Sequence, residues 1–136
     1  KSKDIFQAID EINQTLPIGQ IRHLGYLSAD DKMEFYQNAQ VLVLPSWYEG
    51  FGLPVAEAMH FGLPSIISPY GSLPEIGADA SLITNDGSAE EIYSALKRII
   101  CDEGLRKKLS LKSQERAKIF SWRLSAEKVI ELLRRV

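Results

Sequence analysis

Val41-Leu-Val-Leu44-Pro-Ser46-Trp-Tyr-Glu49-Gly-Phe-Gly52-Leu-Pro-Val-Ala-Glu57 is the stretch on which the fold turns. Its first four residues are a continuous apolar run stopped by Pro45. Such a run suits a strand covered on both faces. The turn-rich segment Ser46 to Gly52 then leads into a helix from about Leu53 to Phe61, terminated by Gly62 and Pro64. A loop that follows a parallel strand and precedes a helix lies where open α/β sheets place their ligand crevice, at the carboxyl ends of the strands.

The flanking sequence repeats this alternation. Upstream, Ile5, Ile9, Ile12 and Leu16 recur at helical spacing, so residues near 4–15 read as an amphipathic helix ended by Pro17 and Gly19. Ile21 to Leu24, closed by Gly25, reads as a strand. Ser28 and Asp31 form a helix start, with Met33, Tyr36 and Ala39 on one face. Downstream, Ser65 to Ser68 and Ala80 to Thr84 read as strands, with one helical turn at Leu73–Ile76 between them. Ser88 and Glu91 form a capping box, with Glu91 reaching back, before a helix that buries Ile92, Ala95, Leu96, Ile99 and Ile100. Gly104 is expected to break that helix. A charged helix follows to about Ile119. Ser121 caps a last helix whose Ala126, Val129, Ile130 and Leu133 face inward. Strands alternating with helices imply an α/β fold, a Rossmann-like parallel sheet with helices on both faces.

Composition narrows the class without deciding it. With 136 residues, 45% hydrophobic and 25% charged, the chain is the size of one ordinary globular domain. A formal net charge of −2 gives no bulk attraction for nucleic acid, so no nucleic-acid partner is expected. The single cysteine, Cys101, excludes an internal disulfide and any cysteine-based zinc site, and reads as a small buried hydrophobe. No apolar run reaches the roughly 20 residues of a membrane span, and no signal peptide opens the sequence. A reduced, cytoplasmic location is the expectation.

The loop itself carries chemistry. Gly50 and Gly52 let the backbone approach a ligand closely and adopt a positive φ. Pro54 fits a first helical turn, where its missing N–H costs nothing. Amides near Leu53, Val55 and Ala56 then face a helix mouth that attracts phosphate. Glu49 lies before the glycines and Glu57 about one turn into the helix. Carboxylates accept hydrogen bonds from sugar diols. Two carboxylates flanking an anion-binding turn suit a nucleotide sugar. The simpler alternative is a solvated loop glutamate and a glutamate that merely favours the helix dipole. The motif also lacks the third glycine of the dinucleotide fingerprint.

Ser46-x-x-Glu49-Gly-Phe-Gly-Leu-Pro-Val-Ala-Glu57-Ala-Met resembles the signature of family 4 retaining glycosyltransferases, which have the two-domain GT-B fold. The Glu-x7-Glu spacing marks that family. The resemblance continues through Phe61-Gly-Leu-Pro-Ser-Ile-Ile-Ser68, Gly71-Ser-Leu-Pro-Glu75-Ile and Phe120-Ser-Trp122. It implies that residues 1–136 are a partial C-terminal nucleotide-sugar-binding domain. It implies a catalytic position for Glu49, beside the transferred sugar. Phe51, Gly52 and Leu53, with neighbouring Gly50, match positions whose backbone meets the sugar or its phosphates, and Val55 an amide donor at the helix mouth. Glu57 matches the glutamate that binds the ribose diol. Tyr26 and Leu27 match a loop that packs beside the base, with plain loop packing an equal reading. Glu75 matches a structural position. The implied reaction is retaining transfer of a hexose from a UDP- or GDP-sugar to an acceptor hydroxyl, in polysaccharide or glycolipid synthesis. The similarity leans toward mannosyl or glucosyl transfer. No metal and no cofactor beyond the nucleotide sugar are implied, and no Asp-x-Asp motif is present.

The sequence departs from the family at its beginning. Nothing before Ile21 matches the first two strands of such a donor domain, and Lys1 and Lys3 do not resemble the basic pair that clamps the diphosphate. In the order 3-2-1-4-5-6, Ile21–Leu24 and Val41–Leu44 would be the third and fourth strands and would not be neighbours. The expected partner is therefore a missing acceptor domain or a longer parent chain, and the isolated chain is expected to be inactive. A non-catalytic sugar-nucleotide-binding module and a GT-B-like epimerase are the alternatives. His23 and His60 read as structural, and Phe120 and Trp122 as packing residues. Arg106-Lys-Lys108, with Lys112, Arg116 and Lys118, reads as a solvated face, with peripheral contact to the inner face of a membrane as the second reading.

Overall fold

The computed structural model describes residues 2–135, with side chains described from Asp4 onward. The expectation for Lys1 falls outside the described residues, as does that for the side chain of Lys3. The chain divides into two compact units, residues 1–33 and 34–136.

In the first unit, helix α1 spans Ser2–Thr15. Residues 21–24 were expected as a strand and form none. A parallel strand needs a neighbour for its N–H and C=O groups, and the described residues of this unit offer none. A side chain serves instead at one position: Asn13 donates Nδ2 to the Ile21 carbonyl at 2.9 Å and accepts the Ile21 amide at 2.8 Å. His23 meets the edge of Phe6, with ring centroids 4.9 Å apart. Helix α2, Ala29–Asn38, starts as the sequence implies; its residues from Glu34 on, Tyr36 among them, belong to the second unit. The Ser28 hydroxyl accepts the Asp31 amide at 3.1 Å and donates to the Asp31 carboxylate at 2.6 Å.

The second unit is built on three parallel strands in sequential order: β1 (Leu42–Leu44), β2 (Ser65–Ile67) and β3 (Ser81–Ile83). Val43 faces Ile66 and Ile66 faces Leu82 across the ladder. Alternation sends neighbouring side chains to opposite faces. Ile67, Leu42 and Leu44 pack with Val55, Met59, Leu73 and Ile76, on α3 (Leu53–His60) and α4 (Leu73–Gly77). Ile66, Val43 and Leu82 pack with Ala95 and Ile99 of α5 (Ala89–Cys101) and Leu109 of α6 (Glu103–Ala117). Both sheet faces are covered, which accounts for the apolar runs. Helix α3 buries Val55, Ala56, Ala58 and Met59. It ends in a Schellman motif, with Gly62 N donating to Met59 O at 3.0 Å and Leu63 N to Ala58 O at 3.1 Å.

Several expectations are corrected. The α5–α6 break falls at Asp102, not Gly104. Asp102 donates its amide to Arg98 O at 3.0 Å and accepts the Leu105 amide on Oδ1 at 2.8 Å, so one residue closes α5 and opens α6. Gly104 lies inside the first turn of α6. Cys101 and Ile100 are exposed, because the buried stripe of α5 centres on Ala95 and Ile99. Ser88 caps α5, but Glu91 reaches past it to Asn85 and Asp86, while the Ser88 amide takes Asp86 Oδ1 at 2.8 Å. Of Met33, Tyr36 and Ala39, only Tyr36 is buried. Helix α7, Trp122–Leu133, is capped by Ser121 and has no buried residue. Its apolar face, including Val129, Ile130 and Leu133, is exposed, and Trp122 is 82% exposed.

Candidate functional site

Three loops gather at the carboxyl end of the sheet, residues 45–52, 68–72 and 84–88, one after each strand. Side chains tie them together. Ser68 donates its hydroxyl to the Ser46 carbonyl. Trp47 stacks on Tyr70, with centroids 5.0 Å apart and planes at 17°. Tyr70 donates its hydroxyl to the Asp86 carbonyl at 2.8 Å. Asp86 is held below the ordinary carboxylate range by its hydrogen bonds from Ser88.

Glu49 sits at the centre of the first loop. Its carboxylate Oε1 accepts the Ser46 hydroxyl at 2.8 Å, and its carbonyl accepts the Ser72 hydroxyl at 3.0 Å. Gly71, at φ 59°, brings its backbone against the same residue. A Cβ there would stand 3.1 Å from the Glu49 oxygen and 3.2 Å from its nitrogen. The backbone of Glu49 is thus set by the neighbouring loop, and its half-buried side chain by Ser46.

The turn after Glu49 opens α3. Gly52 is the N-cap, at φ 91°, with no side chain to cap the helix, and Pro54 occupies the first turn. A side chain is strained at that φ, so glycine suits the position. The Val55 amide was expected at the helix mouth. It donates instead to the Gly52 carbonyl at 3.0 Å, where the Ala56 amide also points at 3.3 Å. Tightening of the first turn draws that amide inward and leaves the Gly52 and Leu53 amides ahead of the first intrahelical bond. Val55 itself is fully buried. Gly50 is exposed, with open space where a Cβ would stand, and it does not take the positive φ expected of it: the turn places only Gly52 in that region. Leu53 is exposed. Phe51, also exposed, sets its ring edge-on to Phe120 at 5.8 Å.

Glu57 lies in the middle of α3 and is half-buried. Its Oε2 accepts the Tyr36 hydroxyl at 3.0 Å. Burial, then the adjoining Glu57 carboxylate, push the Tyr36 phenol well above its usual ionisation range. Tyr26 and Leu27 belong to the first unit, in the segment before α2. Tyr26 is exposed and Leu27 half-buried.

Sequence reading missed Tyr36 as a polar partner, having placed it on an apolar helix face. It also passed over Ser46, Ser68 and Ser72. Two of these left a signal, since Ser46 and Ser68 each stand just past the carboxyl end of a strand, as Thr84 does. His60 bonds the Ala56 carbonyl through Nδ1 at 2.9 Å, a structural role as expected. Among the described residues no cluster of three or more His, Cys, Asp and Glu could hold a metal ion. No helix there is long and apolar enough to cross a membrane.

The basic run is largely committed within the unit. Lys107 pairs with Glu103 at 2.8 Å, Lys112 with Asp79 at 2.6 Å, and Lys118 with Glu115. Arg116 was expected on a solvated face, but its guanidinium donates to the carbonyls of Ile76 and Glu75. It also lies 5.6 Å from the Phe120 ring centroid.

A parallel sheet with helices on both faces, and a glycine turn between two glutamates after its first strand, defines an α/β domain with a candidate site at the carboxyl end of the sheet. The sequence profile described as "Glycosyl transferases group 1" matches residues 2–116, and the chain belongs to that family. It is 38% identical over 104 residues to O-antigen chain mannosyltransferase B of Escherichia coli, covering 76% of this chain and 27% of that protein. It is 33% identical over 121 residues to an MMP alpha-(1->4)-mannosyltransferase of Mycolicibacterium hassiacum, covering 85% of this chain and 29% of that one. The chain thus spans under a third of the length of these relatives. Sucrose-phosphate synthase from Thermosynechococcus elongatus superposes with a TM-score of 0.81 at 28% identity, over 95% of this chain and 33% of that one. The C-terminal domain of a group 1 glycosyl transferase from Francisella tularensis gives 0.73 at 26% identity, over 87% and 60%. The fold is that of a GT-B C-terminal domain, present here in part.

Proposed function

We propose that the chain supplies the donor-binding wall for retaining transfer of a hexose from a nucleoside diphosphate sugar to an acceptor hydroxyl. One observation carries this reading. Glu49 and Glu57 flank a glycine turn at the mouth of α3, and Glu49 is held from three sides by Ser46, Gly71 and Ser72. Glu49 lies beside the transferred sugar, and Glu57 takes the ribose diol. The Gly52 and Leu53 amides face the diphosphate, with Phe51 and Gly50 shaping the turn. Amides fixed at a helix N-terminus stabilise the negative charge that develops on a diphosphate leaving group, as preorganised dipoles do. No divalent ion is part of the proposal.

A mannosyl donor is supported by the names of the two relatives above, and a polysaccharide or glycolipid acceptor by the first of them. Acceptor binding belongs to a partner domain, and the basic clamp on the diphosphate to upstream donor-domain strands that this chain does not match. The test joins this chain to the acceptor domain and the upstream donor-domain strands of a group 1 transferase. Transfer from a GDP- or UDP-hexose with retained anomeric configuration, abolished by Glu49→Ala, supports the reading. Donor binding without transfer in any such fusion would leave a binding module instead.

A further inference from the structure

We propose that Tyr36 is the positioning residue for Glu57, holding its carboxylate in the orientation from which it accepts a ribose diol. This rests on the reading of Glu57 as the ribose acceptor. The Tyr36 hydroxyl donates to Glu57 Oε2 at 3.0 Å, joining α2 to α3 across 21 residues of sequence. Glutamate has three rotatable side-chain bonds, and a ligand that must order it loses affinity. Tyr36 can do the ordering beforehand because it is itself fixed. It is 9% exposed, clustered with Ala58 and Leu63 and against Leu42 and Phe61. Its ring centroid lies 5.9 Å from that of Phe61.

The chemistry of the pair fits the role. A carboxylate offers about four acceptor positions, and the phenol occupies one of them. The phenol has a single O–H to give, and a phenol is protonated at neutral pH. A tyrosine serving packing alone needs no hydroxyl at this point, since the ring contacts would be met by phenylalanine.

The experiment titrates the chain, by NMR chemical shift, with UDP and GDP and with their 2′-deoxy counterparts. Wild type is compared with Tyr36→Phe, Glu57→Ala and Glu57→Gln. Wild type should prefer the ribonucleotide, and Glu57→Ala should erase that preference. Tyr36→Phe should shrink it by about threefold to tenfold, the range expected when one rotamer-rich side chain must be ordered on binding. Its affinity for the deoxynucleotide should stay within about twofold of wild type, because the glutamate contact being tested is already weakened there. Glu57→Gln still offers an amide oxygen to the phenol and should keep a reduced preference. An unchanged preference in Tyr36→Phe would overturn the proposal, as would an equal loss for both nucleotides or a Gln variant no better than the Ala variant. A preference that survives Glu57→Ala would instead overturn the ribose reading of Glu57, a separate failure.

Discussion

The Ser72 hydroxyl donates to the backbone carbonyl of Glu49 at 3.0 Å, so a residue on the β2–α4 loop fixes the main chain of a residue on the β1–α3 loop. Gly71 completes the clasp by bringing its backbone against Glu49 at a positive φ of 59°. Gly71→Ala should therefore act on Glu49 without touching it chemically. The new methyl group would press on Glu49 backbone atoms and favour a different φ. A destabilisation of about 1–2 kcal/mol is expected from the left-handed backbone alone. Sugar-nucleotide affinity should fall further than in Ser72→Ala, which removes one hydrogen bond and adds no clash. Urea denaturation and calorimetry on the two variants make the comparison. Equal affinities would show that the clasp does not set the Glu49 loop.

Arg116 predicts a stability effect away from the turn. Its guanidinium closes the end of α4 through the Ile76 and Glu75 carbonyls and lies against Phe120, whose ring meets Phe51 edge-on. Arg116→Ala should cost about 1–3 kcal/mol, since a half-buried charged donor to backbone carbonyls is lost. Arg116→Lys should recover only part, because an ammonium lacks the fork that spans two carbonyls. Thermal denaturation reads both. A stability unchanged in Arg116→Ala would return the residue to the solvated face that the sequence implied.

How much was legible follows from what each element packs against. β1, β2, β3, α3 and the Ser88 and Ser121 caps could be read because apolar runs, glycine–proline stops and cap residues act locally. Residues 21–24 could not, because a strand exists only if a neighbour receives its backbone groups. The inward face assigned to α7 failed for the same reason: Val129, Ile130 and Leu133 recur at helical spacing, but spacing does not say whether anything covers them. At the site, the glycine turn and its two glutamates were legible in the motif. The loop-to-loop contacts of Gly71 and Ser72 with Glu49, and the helix-to-helix contact of Tyr36 with Glu57, were not, since they join residues about 21 to 23 positions apart.

Tyr36 also predicts a pH dependence. Its folded ionisation lies above the ordinary value of 10.0, so the native state binds the phenolic proton more tightly than the unfolded chain does. Stability from this group is fully present below about pH 10 and is lost as pH rises through the unfolded value toward the folded one. Denaturation midpoints between neutral pH and about pH 11 should show a falling alkaline limb, reduced in Tyr36→Phe. Superimposable profiles for the two proteins would contradict the buried, carboxylate-bound phenol.

The 136-residue chain alone should not turn over a sugar nucleotide, because the proposed acceptor site and basic clamp lie on other segments. Incubation with UDP- or GDP-hexose and an oligosaccharide acceptor should leave the donor intact. In a fusion that does transfer, chelation of divalent ions with EDTA should leave the rate unchanged. Release of nucleoside diphosphate by the isolated chain would contradict the first expectation, and loss of transfer on chelation the second.

The most direct measurement is a calorimetric titration of the chain with GDP-mannose and UDP-glucose, repeated on Glu49→Ala and Glu57→Ala. The account predicts saturable one-to-one binding of at least one donor, weakened about tenfold or more in Glu57→Ala, the loss expected for hydrogen bonds to a charged acceptor. Glu49→Ala should weaken the nucleotide sugar more than the free nucleoside diphosphate. Binding of neither donor, or binding that both substitutions leave unchanged, would contradict the assignment of the Glu49–Glu57 turn as the donor wall.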